Sequence, residues 1–245
     1  MIRHVHCSSL YSESEGSLAA EVDKIVSHTD PEADLATYTE VKSREDALRA
    51  ASPGWGVYQP DRTDVAVLWR QDTWEAKVKE AHKLTDKEWT DGQGHTHQTW
   101  AAAVLLERNN GRRAWVSLCH LPSSVQNGCQ FKDNRQAAAW RGALDGWHKY
   151  WNNSRDRHKP DVGMLVADWN VDFHLKCWRQ HLSSRFPSLW LCWRDPNMPP
   201  DGKGTHGGRL IDAAWSTVKA DRCDLLPDNP SSDHRPWAEF LDWPD

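Results

Sequence analysis

Residues 162–172 read VGMLVADWNVD: an apolar run that stops at Asp168 and is followed two positions later by Asn170. An apolar stretch of this length without alternation is the pattern of a strand covered on both faces, and the acid marks where it leaves the core. If the chain stays extended through Asn170, residues 168 and 170 face one side while Ala167, Trp169 and Val171 face the other. A carboxylate beside a neutral amide can orient and deprotonate a water and donate to a phosphate oxygen without adding a second like charge. Taken alone, the motif is equally that of an ordinary Asp/Asn turn after a strand.

Outward from this point the same pattern recurs, with an apolar run ending in a group that carries chemistry. LATYTE closes on Glu40, AWVSLCH on His120, and RLID holds the lone acid Asp212, while SSDHRPW places Asp233 and His234 side by side before a terminal apolar run. An acid ending a buried run is costly unless it is paired or binds a cation. An acid beside a histidine can fix one imidazole tautomer, and an adjacent Asp and His can supply a metal ligand and a charge-stabilising imidazolium. The plainer alternatives are a cap or salt bridge for Glu40, a loop-bonding histidine for His120, a capped loop for 233–234, and an ion pair with Arg209 or Arg222 for Asp212.

Between these motifs, helical periodicity covers Ser17–His28, Ser43–Ala51 and Gln136–Trp151. Strand-like pieces cover Trp55–Gln59, Val65–Trp69, Thr73–Val78, Thr99–Leu106, Ala114–His120, Leu189–Trp193, Arg209–Ser216 and Trp237–Leu241, and Ser123–Arg135 reads as a loop. No repeat of fixed period is present, which excludes solenoids and propellers. Many strands with helices placed early and centrally predict an α/β (α+β) sandwich of two packed sheets flanked by helices, and 245 residues fit one domain.

The net charge of −5 excludes a global positive field, so a polyanionic substrate needs a local basic patch or a metal. Such a patch is predicted around the central helix, at Arg135, Arg141, His148, Lys149, Arg155, Arg157 and Lys159, with a solvated helix face balanced by Asp145 and Asp156 as the alternative. The six cysteines lack CxxC or CxxH spacing, and the expectation is reduced thiols in a cytoplasmic, soluble monomer with no membrane segment. The sixteen tryptophans are spread along the chain and are read mainly as packing. His95, His97 and His206 lie in polar loops, where mobility is the simpler reading than an extra metal site.

Taken together and in order, these motifs resemble the endonuclease/exonuclease/phosphatase superfamily over residues 3–241. ADWN is similar to its GDFN, TYTE to its LQE, LCH to its TH and RLIDA to its RIDYI, and SDHRP is intact. Two positions depart from it: Thr39 replaces the Gln of LQE, and Ser8 or Ser9 stands where the first strand normally ends in Asn. The resemblance implies a four-layered sandwich with mostly antiparallel sheets. It also implies one Mg²⁺ or Mn²⁺ held by Glu40 and Asp233, with His120, Asp168, Asn170, Asp212 and His234 as the catalytic set. Ser8, Ser9, Arg135 and Arg141 are expected at the substrate. The function expected is hydrolysis of phosphodiesters, with DNA as the first choice of substrate. A phosphatase acting on small molecules or lipid headgroups, and a noncatalytic DNA-binding relative, are the rivals.

Overall fold

A computed structural model describes residues 1–8, 33–41, 45–61, 63–90, 94–194, 196–200, 202–227 and 234–244. The expected helix at Ser17–His28, together with Ser9 and Asp233, lies outside them.

Two six-stranded sheets are packed face to face. In one, β1 (Ile2–Cys7) pairs with β2 (Leu35–Tyr38), β2 with β4 (Ala66–Arg70), and β4 with β3 (Trp55–Tyr58) at the edge. On the other side of β1 lie β16 (Trp237–Leu241) and then β15 (Ala220–Leu225). The second sheet runs from β5 (Trp74–Lys83) through β8 (Trp100–Arg108), β9 (Arg113–His120), β12 (Val162–Asp168) and β14 (Asp212–Ser216) to β13 (Trp190–Leu191). Each sheet is mixed: its two central strands, β1 with β2 and β9 with β12, are parallel, and the flanking pairings are antiparallel.

β12 is buried along its whole length, as its apolar composition requires of a strand covered on both faces. Between the sheets, Ile2, Leu35 and Val67 share one core with Val104, Val116 and Val166. Helix α1 (Glu45–Ala51) covers the outer face of the first sheet, where Leu48 packs with Val57, Ala36 and Leu68. Helix α2 (Arg135–His158), capped by Asn134 through Ala137 N–H, covers the second sheet with Trp140, Leu144, Trp147 and Trp151. Its Gly146 has no room for a side chain, since a Cβ there would fall 1.8 Å from the carbonyl oxygen of Leu84. The order helix, sheet, sheet, helix is the four-layered sandwich expected from the sequence.

Three expectations need correction. The segment 123–135 is not a plain loop but carries the hairpin β10 (Gln126–Asn127) and β11 (Gln130–Phe131). A helix α3 (Lys176–Arg185) was not expected; it buries only Trp178 and Leu182, too few apolar positions to set up a periodic signal. The six thiols are not all reduced: Cys129 in the hairpin turn is bonded to Cys177 at the start of α3, with Cα atoms 5.8 Å apart. Trp178 reinforces that link, donating to Gly128 O at 2.9 Å and packing on Phe131. Among the described residues, no helix is long and apolar enough to cross a membrane.

Candidate active site

The functional side chains collect at one edge of the sandwich, where the central strands of both sheets end. Register places three of them in a row, with Asp168 opposite His120 on β9 and opposite Asp212 on β14. From the other sheet come Ser8 just after β1, Glu40 just after β2 and His234 just before β16. A small hairpin, β6 (Trp89–Thr90) with β7 (Thr96–His97), borders this edge: Trp89 stacks on His97 and meets His120 edge-on, ring centroids 6.1 Å apart.

Two imidazole–carboxylate pairs converge here. His120 Nδ1 lies 2.6 Å from Asp64 Oδ2, and His234 Nδ1 lies 2.8 Å from Asp212 Oδ2. With Nδ1 engaged by a carboxylate, each ring turns Nε2 inward. Those nitrogens lie 3.7 Å (His120) and 4.0 Å (His234) from the same atom, Asp168 Oδ2. Glu40 Oε1 is 3.8 Å from His120 Nε2. Glu40 faces His120 and Asp212 faces His234, so Glu40 is not a helix cap and Asp212 is not an arginine's partner.

Charge follows from this crowding. Burial alone would lower both imidazoles, but for His120 the charge and hydrogen bond of Asp64, then Glu40 and Asp168, outweigh it and lift the pKa to about 10. For His234 burial is overcome by Asp212, then Asp168 and Glu40, again to about 10. Burial, then the negative charge of Asp212, pushes Asp168 up to about 7, in the range that suits a base at neutral pH. Burial would raise Asp212 too, yet His234 and then His6 hold it well below the usual carboxylate range.

Asn170 reaches the site differently from the extended arrangement expected. β12 stops at Asp168, and Asn170 takes a left-handed conformation with φ of 55°. Its backbone N–H donates to Asp168 Oδ1 at 2.9 Å and its side-chain amide to Leu121 O at 2.8 Å, so it braces the carboxylate in a turn. Glu40 also sits at positive φ, 60°, a conformation unfavourable for a glutamate and typical of strained functional positions. Tryptophans fix the backbone around these groups: Trp140 donates to Trp169 O, Trp169 to Ala213 O and Trp193 to Asp212 O, at 2.7, 3.0 and 2.7 Å.

Several residues are placed otherwise than expected. Ser8 is 1% exposed; its hydroxyl accepts from Thr39 and donates to Asp212, so it lies beneath the carboxylate rather than at a substrate. Arg135 is exposed at the start of α2, but the Arg141 guanidinium covers the Phe131 ring at 5.0 Å. Further along α2, Arg157 pairs with Glu80 at 2.7 Å and Arg155 reaches Ser188. Among the described residues, no cluster of possible metal donors includes His95, His97 or His206; His206 packs on the ring of His234 instead.

Asp64 was not anticipated. It precedes β4 as one acid in a polar loop, and the signal available was its place directly before the apolar run VAVLW. The donor atoms of Glu40, His120 and Asp168 all lie within 4.8 Å of one another, as do those of Asp168, Asp212 and His234. Carboxylates this close, one of them raised by burial and then by the charge of Asp212, fit a hard divalent cation bound by oxygen. Glu40 is the described residue that would hold it, beside the carboxyl of Asp168.

No protein-family model and no curated protein sequence matches this chain. Solved structures do match. A mannosyl-6-phosphatase of Bacteroides thetaiotaomicron superposes with a TM-score of 0.73 at 12% identity, covering 99% of this chain and 100% of that one. An endonuclease/exonuclease/phosphatase of Bacteroides vulgatus gives 0.72 at 15%, covering 99% of each. The catalytic domain of human Nocturnin gives 0.67 at 15%, covering 99% of this chain and 93% of its own. Matched over 99% of its length by solved structures of this kind, and built from two packed six-stranded sheets, the chain has the fold of the endonuclease/exonuclease/phosphatase superfamily.

Proposed function

We propose that this chain is a divalent-metal-dependent phosphoesterase. The observation that carries the reading is the convergence of two imidazoles, each tied at Nδ1 to a carboxylate, on the single buried carboxyl of Asp168. When bound, Mg²⁺ or Mn²⁺ would neutralise charge on the phosphoryl group and orient it. Glu40 would hold the ion, with Asp233 as a further carboxylate expected from the sequence, which leaves Asp168 free to act as the base.

Asp168 would take a proton from water as its oxygen forms a bond to phosphorus. His234, protonated and fixed by Asp212, would donate from Nε2 to a phosphoryl oxygen as charge builds there. As the ester P–O bond breaks, His120 would protonate the departing oxygen, its other nitrogen held by Asp64. Asn170 keeps Asp168 in place through its backbone N–H and has a second amide hydrogen to offer the phosphate.

DNA is our first reading of the substrate, with exposed Arg135 as a phosphate contact, since its neighbour Gln136 donates to Thr90 O in the hairpin that borders the site. A small phosphomonoester is the second, favoured by the state of the other helix cations. At about 1.5 Å per residue, the stretch from Arg141 to Lys159 spreads them over roughly 27 Å, and Arg141 and Arg157 are already engaged. The solved phosphatase of the same fold is in keeping with that second reading.

The test is an assay with a Mg²⁺ and Mn²⁺ series on supercoiled plasmid and on p-nitrophenyl phosphate. Nicking supports the first substrate and phosphate release the second; DNA retention without turnover points to the noncatalytic rival. Asp168→Asn and His234→Ala are each expected to lower turnover by about 10³-fold or more with the fold intact. EDTA should abolish activity and Mg²⁺ restore it; full turnover in EDTA would refute the metal role.

A further inference from the structure

A polar ladder runs through the middle of the sandwich, where an apolar filling would have sufficed. His4, His6 and Ser8 lie on one side of β1 and its extension by strand alternation, with neighbouring registers bringing up Glu239 and Thr37. His4, His6, Thr37 and Glu239 are all 0% exposed. The contacts form a chain. His4 Nδ1 is 2.9 Å from Glu239 Oε1, and His4 Nε2 is 2.7 Å from Thr37 Oγ1. Thr37 Oγ1 is in turn 2.8 Å from His6 Nδ1. His6 Nε2 ends the chain, 3.2 Å from Ser8 Oγ and 3.4 Å from Asp212 Oδ1. Trp237 walls it, with ring centroids 5.6 and 5.5 Å from those of His4 and His6.

We infer that Glu239, His4, Thr37 and His6 form a buried positioning relay that fixes the carboxylate of Asp212 and, through it, the ring of His234. This rests on the reading of His234–Asp212 as working groups in phosphoester hydrolysis.

The direction of the relay follows from counting protons. Thr37 has one hydroxyl hydrogen and stands between two imidazole nitrogens, so it donates to one ring and accepts from the other. A bare nitrogen lone pair facing the Asp212 carboxylate would be repelled, so His6 carries its hydrogen on Nε2 and accepts at Nδ1 from Thr37. Thr37 then accepts from His4 Nε2–H, and one further proton is shared between His4 Nδ1 and Glu239. Asp212 Oδ1 thus accepts from Ser8, itself hydrogen-bonded to His6 Nε2, which lies 3.4 Å from the same oxygen, and Oδ2 is left aimed at His234.

Buried charge-bearing pairs are poor sources of stability compared with apolar filling of the same volume. Glu239 Oε2, moreover, is buried with no hydrogen-bond partner among the described residues. A ladder retained at that cost, ending on Asp212, is accounted for by what it does to Asp212. It also accounts for the sequence departure at Ser8: a small hydroxyl leaves room for His6 to reach the acid.

The first test needs no variant. Long-range ¹H–¹⁵N spectra of the ¹⁵N-histidine-labelled protein should show His6 as the Nε2–H tautomer with Nδ1 accepting; the opposite tautomer overturns the relay. The second compares Thr37→Val, which keeps volume but removes the hydroxyl, with Thr37→Ser, which keeps it. With Mg²⁺ and whichever of supercoiled plasmid or p-nitrophenyl phosphate the wild type cleaves, Thr37→Val should lower kcat about tenfold with KM unchanged. Thr37→Ser should recover most of that loss. Wild-type kcat in a folded Thr37→Val protein overturns the proposal. His234→Ala separates the two readings: if it retains full turnover, the hydrolytic assignment of His234 fails, while the tautomer measurement still decides the geometry.

Discussion

The two imidazole–carboxylate pairs perform the same local chemistry with very different support. Asp64, the partner of His120, has a side chain 39% exposed at the rim of the site. Asp212, the partner of His234, is 1% exposed and is gripped on all sides. Ser8 and His6 reach one of its oxygens, Thr205 Oγ1 accepts its backbone N–H, and Trp193 donates to its carbonyl. Similar hydrogen-bond lengths, 2.6 and 2.8 Å, therefore do not mean equal stiffness. A rim pair has water as an alternative partner and can follow a substrate, whereas a buried pair has only the orientation its surroundings allow.

Removing each acid tests that contrast most severely. Asp212→Asn should cost about 10³-fold or more in kcat, because the amide can present the wrong group to His234 and nothing nearby can substitute. Asp64→Asn should cost only about tenfold, since water can replace a rim acceptor. Steady-state kinetics at saturating Mg²⁺ decide it, and equal losses would erase the distinction.

Titration sharpens the same comparison. Both histidines have pKa values raised from 6.5 to about 10, so each binds more proton folded than unfolded between those limits. The stability they contribute is complete below pH 6.5 and is lost as pH rises towards 10. Melting temperatures of EDTA-treated protein should therefore fall over that window. His234→Gln should flatten the fall more than His120→Gln, because the rim carboxylate is partly screened by water. The smallest effect on chemistry is expected far from both pairs. Reducing Cys129–Cys177, which spans 48 positions, should lower unfolding free energy by about 2–4 kcal/mol in chemical denaturation. Turnover should change little, because Gln126 of that hairpin accepts from the backbone N–H of Asp172 and touches none of the working side chains among the described residues.

What could be read from the sequence was whatever stood at a strand end. Glu40, His120, Asp168, Asp212 and His234 each follow or precede an apolar run, so their clustering at one edge of a sandwich was foreseeable from pattern and resemblance. Groups inside strands were not. His4, His6, Thr37 and Glu239 look like polar interruptions of apolar segments, and only strand register reveals that they face one another. Asp64 was hidden for the opposite reason, as an acid in a loop where acids are ordinary. β15 escaped because ADRCDL has exposed charges at Asp221 and Arg222 in its middle, and the disulfide because a spacing of 48 carries no motif. Asn170 was placed near Asp168 by assuming an extended chain, whereas the actual turn depends on a left-handed residue that strand alternation does not foresee.

The backbone at Glu40 sets a trap for protein engineering. Glycine there would relax the left-handed residue and is expected to gain up to about 1 kcal/mol, while removing the acid proposed to hold the cation. A library of this chain sorted for heat resistance alone should enrich Glu40→Gly, and thermal melts of such clones beside their turnover would expose the exchange. Selection for robustness without selection for chemistry would dismantle the site from its most strained corner.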